Sequence, residues 1–318
     1  MRVFVAGATG AIGRRLIPQL IARGHQVTAS TRGPARLEDL RELGADPVVV
    51  DGLDAVAVGE AVARAHPDAI VHQMTALAGK PDLRKFDKWF ATTNRLRTTG
   101  TEHLLAAAQA AGVGKFVAQS YTGWSNIREG GPVKTEDDPY DPHPAKNQVQ
   151  SIAGLQFLDR EVPAAPLEGI VLRYGNFYGP GGSESLVEMI CKRQLPIIGS
   201  GAGVWSWIHL DDAAAATVAA VENGRRGVYN VVDDEPAPVS VWLPDVAQAV
   251  GAKPPLRVPA WLGRLAAGEV TVRWMTQARG ASNEKAKREL GWRPAWSTWR
   301  EGFRHGLTDA GRPTQASS

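Results

Sequence analysis

The sequence predicts an α/β fold, a doubly wound parallel sheet followed by a smaller C-terminal lobe, and three observations carry that prediction. Short β-branched runs alternate with helical apolar stripes up to about residue 175. The first run, Arg2–Ala6, passes into glycines spaced G-x-x-G-x-x-G at Gly7, Gly10 and Gly13. From about residue 176 onward the alternation gives way to a stretch rich in proline and tryptophan.

Taken in order, Arg2–Ala6 reads as a buried strand, and Leu16, Ile17, Leu20 and Ile21 form the apolar stripe of the helix beyond the glycines. Gly7 lets the chain leave the strand in a tight turn, Gly10 lets backbone amides approach a pyrophosphate, and Gly13 lets the helix pack on the sheet. The helix N-terminus, with unpaired donors and the positive end of its dipole, then faces the phosphates. Gly24 closes this helix, and residues 25–30 form a second strand. A helix over 34–43 stops at Gly44 and leads to a strand at 47–50. Helix 55–65, strand 68–73, a long helical stretch over 83–111 and strand 115–119 continue the alternation. Residues 130–144, with four prolines and several acids, read as an ordered or lid-like loop. Helical spacing returns at Val149, Ile152, Leu155, Leu158 and Val162, followed by a strand at 169–172, a glycine-rich loop at 178–182 and a helix over 184–193. The prediction thus sets a Rossmann-type dinucleotide-binding domain over 1–175, to which some later segments return, a mainly substrate-binding lobe over 176–312, and a frayed tail at 313–318.

Composition narrows the functional classes. Apolar and charged fractions of 43% and 22% are those of an ordinary soluble globular protein. The formal charge of +3 is small, and no Lys/Arg cluster interleaves with aromatics, so nucleic acid is not an expected partner. Cys191 is the one cysteine, which excludes an internal disulfide and a Cys-rich zinc site. The histidines are scattered without ligand spacing, so no metal is expected. No leader and no apolar run of membrane-spanning length is seen, so a cytoplasmic protein without membrane association is expected. Ten tryptophans are many for 318 residues, and Trp124, Trp205 and Trp207 fall in segments that would face a substrate. Rigid rings there suit a flat apolar or aromatic compound, or stacking on a sugar.

The glycine turn, Asp51-Gly52-Leu53, Gly100-Thr101 ahead of Leu104-Leu105-Ala106-Ala107, the run Phe116–Ser120, Leu172–Pro180, Ile208–Asp212, Tyr229-Asn230-Val231 and Glu289–Pro294 stand in one order along the chain. Together they resemble the extended short-chain dehydrogenases/reductases, the NAD(P)-dependent epimerase/dehydratase family, over nearly the whole length. The resemblance implies that Gly7, Thr9, Gly10, Ala11, Ile12 and Gly13 line a pyrophosphate and that Asp51 and Gly52 sit beside the adenine. It implies that Gln73, Met74 and Thr75 border the adenosine ribose and the nicotinamide side. Ser120 would hydrogen-bond the substrate oxygen, and Asn176 and Tyr178 would border the substrate. Tyr174 would touch the nicotinamide side, with core packing as the alternative. His209 matches a position that is usually structural.

An acid at the end of the second strand would select NAD, whereas an arginine accepts the 2′-phosphate of NADP. Here the strand ends Thr28-Ala29-Ser30-Thr31-Arg32, with no acid and a guanidinium fork, so NADP is expected, with NAD as the alternative. The family's usual Tyr and Lys lie four residues apart on one helical face, where the ammonium lowers the phenol pKa. Aligning the helix after the loop on Asp159 puts Ser151 and Leu155 at those places, and Tyr140 and Lys146 are separated by Pro142 and Pro144. Tyr121 is a substitute proton donor or else a half-buried aromatic at a strand end. Tyr140, His143 and Lys146 either close over the crevice or belong to an exposed loop. The reading is an NAD(P)-dependent oxidoreductase or epimerase acting on a small carbonyl or hydroxyl compound, with Ser120 and Tyr121 as catalytic candidates. A non-redox lyase, isomerase or cyclase on the same scaffold, and a non-catalytic dinucleotide-sensing protein, are the alternatives; a homodimer is left open.

Overall fold

The structure, a computed structural model, describes residues 1–77 and 82–308; the predicted tail at 313–318 lies outside them. Among the described residues the central sheet has seven strands: β1 (Arg2–Ala6), β2 (Gln26–Thr31), β3 (Asp46–Val49), β4 (Ala69–His72), β5 (Lys115–Tyr121), β6 (Glu168–Tyr174) and β7 (Gly227–Val231). Their order is β7-β6-β5-β4-β1-β2-β3, with every pair parallel. The chain builds outward from β1 to β3, then crosses back to lay β4 on the other side of β1 in the register Ala6 opposite His72. That reversal leaves a crevice beyond the carboxyl ends of β1 and β4, where open parallel sheets receive ligands.

Near-continuous apolar runs in the strands reflect burial on both faces. On one face Leu16, Ile17 and Leu20 of α1 (Gly13–Ala22) join Leu210, Ala213 and Val221, and Ala286 and Leu290, from two helices that return from late in the chain. On the other face Val58 and Val62 of α2 (Ala55–Ala65), Leu104 and Ala108 of α3 (Thr101–Ala110), and Leu158 and Val162 of α4 (Val149–Ala164) cover Phe4, Ile70, Phe116 and Val171. Asp54 caps α2 by accepting from the amides of Val56 and Ala57.

The helix expected over 83–111 is broken in four places. Short turns at Phe86–Trp89 and Ala91–Arg95 lead into a π-helical turn at Leu96–Gly100 before α3 begins. The Thr98 hydroxyl donates back to the Asn94 carbonyl at 3.0 Å, and threonine-rich sequence of this kind competes with the regular ladder. Strands β5 and β6 run two residues further than expected, as far as the paired Tyr121 and Tyr174. The loop at 130–144 contains a short strand, Val133–Lys134, which pairs with Gly280–Ala281.

The small lobe is assembled from Asn176–Tyr178 paired with Trp207–His209, Val204–Trp205 paired with Ala237–Pro238, and the helices Val239–Ala249 and Trp299–His305. Its core is aromatic, with Tyr178, Trp207, Trp242, Trp299 and Phe303 all buried. Among the described residues no helix is long and apolar enough to cross a membrane.

Candidate active site

The carboxyl ends of β1 to β4 converge on a cleft of about 560 Å³ lined by Gly7, Thr9, Gly10, Arg32, Asp51, Gly52, Gln73, Met74 and Thr75. Its inner wall is main chain. Gly7 sits at φ +85°, and a Cβ there would lie 2.7 Å from the Gln73 carbonyl carbon and the Met74 nitrogen. A Cβ on Gly13 would fall 2.3 Å from the Ala8 oxygen, so the turn closes only without a side chain. Beside Gly10, by contrast, the first atom met is the Gly7 oxygen at 3.4 Å, which leaves that face open. The amides of Thr9, Ala11 and Ile12 donate to no acceptor among the described residues. Free amides at a helix start form a concavity that fits an anion. Ile12 and Gly13 are buried beneath the turn, and Ala11 lies exposed at its edge, so these three frame the cleft without lining it.

The floor is set by His72, which is 3% exposed. Its Nε2–H donates to the Leu96 carbonyl at 3.1 Å, and its Nδ1 accepts from the Met74 amide at 3.2 Å. Both nitrogens are therefore committed in the neutral ring. Burial, with the Arg97 cation adding to it, pushes its pKa down to about 4. At the mouth Arg32 is exposed and makes no ion pair among the described residues, while Arg36, also on the lining, is held by Asp39 at 2.8 Å. The sequence reading did not single out Arg36, Thr92 or Leu96; the last two come from the broken helix that a regular 3.6-residue period conceals.

Beyond the end of β5, Tyr121, Trp124, Asn176 and Trp205 meet Trp274 around a slot of about 10 Å³, room for a single water. Tyr121 stacks on Trp124 (5.4 Å between centroids, 26°), and Trp124 stacks on Trp274 (6.0 Å, 21°). Trp274 lies far along the chain from the other rings, so the sequence alone does not reveal this contact. The Tyr121 hydroxyl donates to Asn176 Oδ1 at 3.0 Å, and Asn176 Nδ2 donates to the Ser206 carbonyl, which fixes the amide orientation. Burial pushes the Tyr121 phenol well above its usual pKa, so it stays protonated at neutral pH.

Four expected site residues are buried in this structure. Ser120 is 2% exposed and lines neither opening, because successive strand residues face opposite sides and Tyr121 takes the open one. Tyr178 is fully buried, stacked on Phe303 at 4.9 Å and 22°, with Gly302 against its ring. Trp207 is packed edge-on against Trp242 at 4.9 Å. Both belong to the lobe core, whereas Asn176 and Trp205 line the slot. Tyr174 is also in the core: its hydroxyl lies 2.6 Å from Thr217 Oγ1 and accepts from Gln73 Nε2 at 3.3 Å, so it orients a cleft residue from behind.

The proline-rich loop is pinned from within. The Tyr140 hydroxyl donates to Asp159 Oδ2 at 2.5 Å, and Arg173 closes on the same oxygen at 2.6 Å. Arg128 binds Asp141 at 2.8 Å. His143 and Lys146 are exposed and line neither the cleft nor the slot. On α4, Ser151 donates to Asp87 at 2.6 Å and accepts from Asn94, and Leu155 is fully buried. His209 accepts from the Asp211 amide at the start of its helix, a capping role.

Comparison with known proteins places this geometry. Residues 3–232 match the model of the NAD dependent epimerase/dehydratase family. A 3-diazoavenalumate denitrifying reductase from a Streptomyces species is 44% identical over 313 residues, 95% of this chain and 99% of the relative. A 2-alkyl-3-oxoalkanoate reductase from Stenotrophomonas maltophilia is 28% identical over 79% of this chain and 76% of its own length. Among solved structures, a Thermus thermophilus UDP-glucose 4-epimerase in complex with NAD aligns at a TM-score of 0.73 and 25% identity, covering 96% of this chain and 98% of that one.

Proposed function

This chain belongs to the NAD dependent epimerase/dehydratase family and is an NAD(P)-dependent oxidoreductase/epimerase enzyme; within that family we propose that it is an NADP-dependent reductase of a flat aromatic diazo compound. The observation that carries the reading is the slot of stacked rings, Tyr121, Trp124 and Trp274, next to a cleft whose backbone fits a diphosphate. The reductase with 44% identity, named for removing nitrogen from a diazo substrate, points the same way. Arg32 at the mouth, which makes no ion pair among the described residues, favours the additional phosphate of NADP.

When bound, a nicotinamide would supply hydride, and hydride replacing a diazonium group forms one C–H bond while the C–N pair leaves with dinitrogen, so no proton is consumed. That balance suits a helix with Ser151 and Leu155 where the family's Tyr and Lys are expected. The protein's own work is to hold the ring flat between Trp124 and its neighbours, to keep water out of the slot, and to orient Gln73 and Met74 through Tyr174 and His72. A second reading, carbonyl reduction, rests on Tyr121, whose protonated hydroxyl sits in the slot and can donate to an oxygen.

The test is turnover with NADPH and with NADH, on an aryl diazonium salt and on an aryl ketone. Oxidation of NADPH with stoichiometric dinitrogen release supports the first reading, and turnover on the ketone alone replaces it with the second. No turnover on either, with NADPH still bound, sinks both.

A further inference from the structure

We propose that Arg97 is the anchor for a carboxylate on the substrate, so that the aromatic compound taken by this site is an arylalkenoate or a similar aryl acid. The inference rests on the aromatic-substrate reading above and adds the group by which the ring is oriented. Arg97 lies on the π-helical turn, 5% exposed, and makes no ion pair among the described residues. Its one hydrogen bond among the described residues is a long 3.4 Å contact with Asn94 Oδ1. Its guanidinium otherwise rests 5.5 Å from the centroid of Phe90. The contrast within this fold is Arg173, equally buried at 7% exposed but closed on Asp159 at 2.6 Å. A desolvated cation without a carboxylate is costly to keep, and such groups are retained where a ligand completes them.

Position says which ligand. The neighbouring Leu96 lines the dinucleotide cleft. On its other side Phe90 stacks on Phe86 at 4.4 Å, and Phe86 meets Trp124 at 5.0 Å, edge to face. Arg97 lines neither the cleft nor the slot in this structure. It is joined to the first through its neighbour Leu96 and to the second through the ring contacts Phe90–Phe86–Trp124, so a ligand bridging the two would reach it from between them. A guanidinium fork matches a carboxylate through two parallel hydrogen bonds. The Tyr140 hydroxyl, whose charge would act on Arg97, does not serve as the anion, because it is a protonated phenol that donates to Asp159. Desolvation of Arg97, which lowers its pKa to about 10, is consistent with a charge awaiting a partner.

The test uses protein loaded with NADP+, with trans-cinnamate and methyl cinnamate as probes, read by calorimetry in the wild type, Arg97→Met and Arg97→Lys. Wild type is expected to bind the acid about tenfold or more tightly than the ester. Arg97→Met should erase that preference, leave ester binding and NADPH affinity within about twofold, and leave Tm unchanged or raised, since an uncompensated charge has been removed. Arg97→Lys, which keeps the charge but loses the fork, should fall between them and provides the result if the methionine variant does not fold. An unchanged acid-to-ester ratio in either variant overturns the proposal. A tenfold loss of NADPH affinity overturns it too, by assigning the guanidinium to a cofactor phosphate. If neither probe binds wild type that still binds NADPH, the aromatic reading fails and the anchor falls with it.

Discussion

The cleft beyond β1 to β4 is walled by main chain and holds about 560 Å³, whereas the slot beyond β5 is walled by rings and holds about 10 Å³. Both open from the same end of one sheet. The first is shaped by where glycines allow the backbone to go, so it exists before any ligand arrives. The second is shaped by side chains, with Tyr121, Trp124, Trp274 and Trp205 joined in a chain of ring contacts drawn from three stretches of sequence, so a ring can enter only by parting them. One half of the site is preformed and general, and the other is closed and selective.

The contrast breaks most completely at Gly7. Gly7→Val places a branched side chain at φ +85° against the Gln73 and Met74 backbone, which should cost on the order of 3 kcal/mol and abolish dinucleotide binding. Urea denaturation and NADPH titration measure the two losses, and retained binding would mean that the wall is softer than its geometry indicates. Next in size is Trp124→Ala, which removes one ring from a stack of three. A loss of about 2 kcal/mol in stability and a raised KM for the aromatic substrate are expected, with NADPH affinity unchanged. A parallel fall in NADPH affinity would show that the two halves are one coupled site.

Acid should reach the cleft before the slot. The folded-state pKa of His72, about 4, lies below its ordinary value of 6.5, so the unfolded chain takes up the proton first. Stability is intact above about pH 6.5 and falls as pH drops toward 4, with roughly 2 kcal/mol gone by pH 5. Thermal unfolding across that range should show the slope in wild type and a flatter one in His72→Gln. The smallest change is expected from Arg32→Ser at the exposed mouth. About a tenfold loss of NADPH affinity, near 1.4 kcal/mol, with NADH unaffected, would tie the mouth to the adenosine phosphate. Equal loss for both nucleotides would assign Arg32 a general electrostatic part instead.

What the sequence made legible follows the same division. The glycine turn, the parallel order and the strand ends are visible because each depends on a local rule: a positive φ at Gly7, an apolar run, a period. Gly7, Thr9, Gly10, Asp51, Gly52, Gln73 and Met74 come together along one cleft because they all sit at strand ends. The slot was legible only in part. Trp124 and Trp205 face it and Trp207 does not, because Trp205 and Trp207 sit in two different short strands with different partners, a break that no clear sequence pattern marks. Ser120 and Tyr121 are separated by strand alternation, since a shift of one residue exchanges the open face for the buried one. Arg97 did leave a trace. It follows Phe86, Phe90 and Thr93 at the spacing of an inward helical stripe, so a charge stood where the pattern asked for an apolar side chain.

The late return of the chain to the sheet has a consequence for synthesis. Asp212, which opens the helix at Leu210–Asn223, is buried and accepts from the amides of Ala295 and Trp296 at 2.8 and 2.9 Å. Gly302 completes the packing around Tyr178. A nascent chain emerging from the ribosome can assemble β1 to β6 early, but its edge strand and lobe stay open until residues near 300 are released. Completion of the fold is thus a late event, and a stop codon before Trp296 leaves the buried Asp212 carboxylate without the Trp296 amide that helps satisfy it.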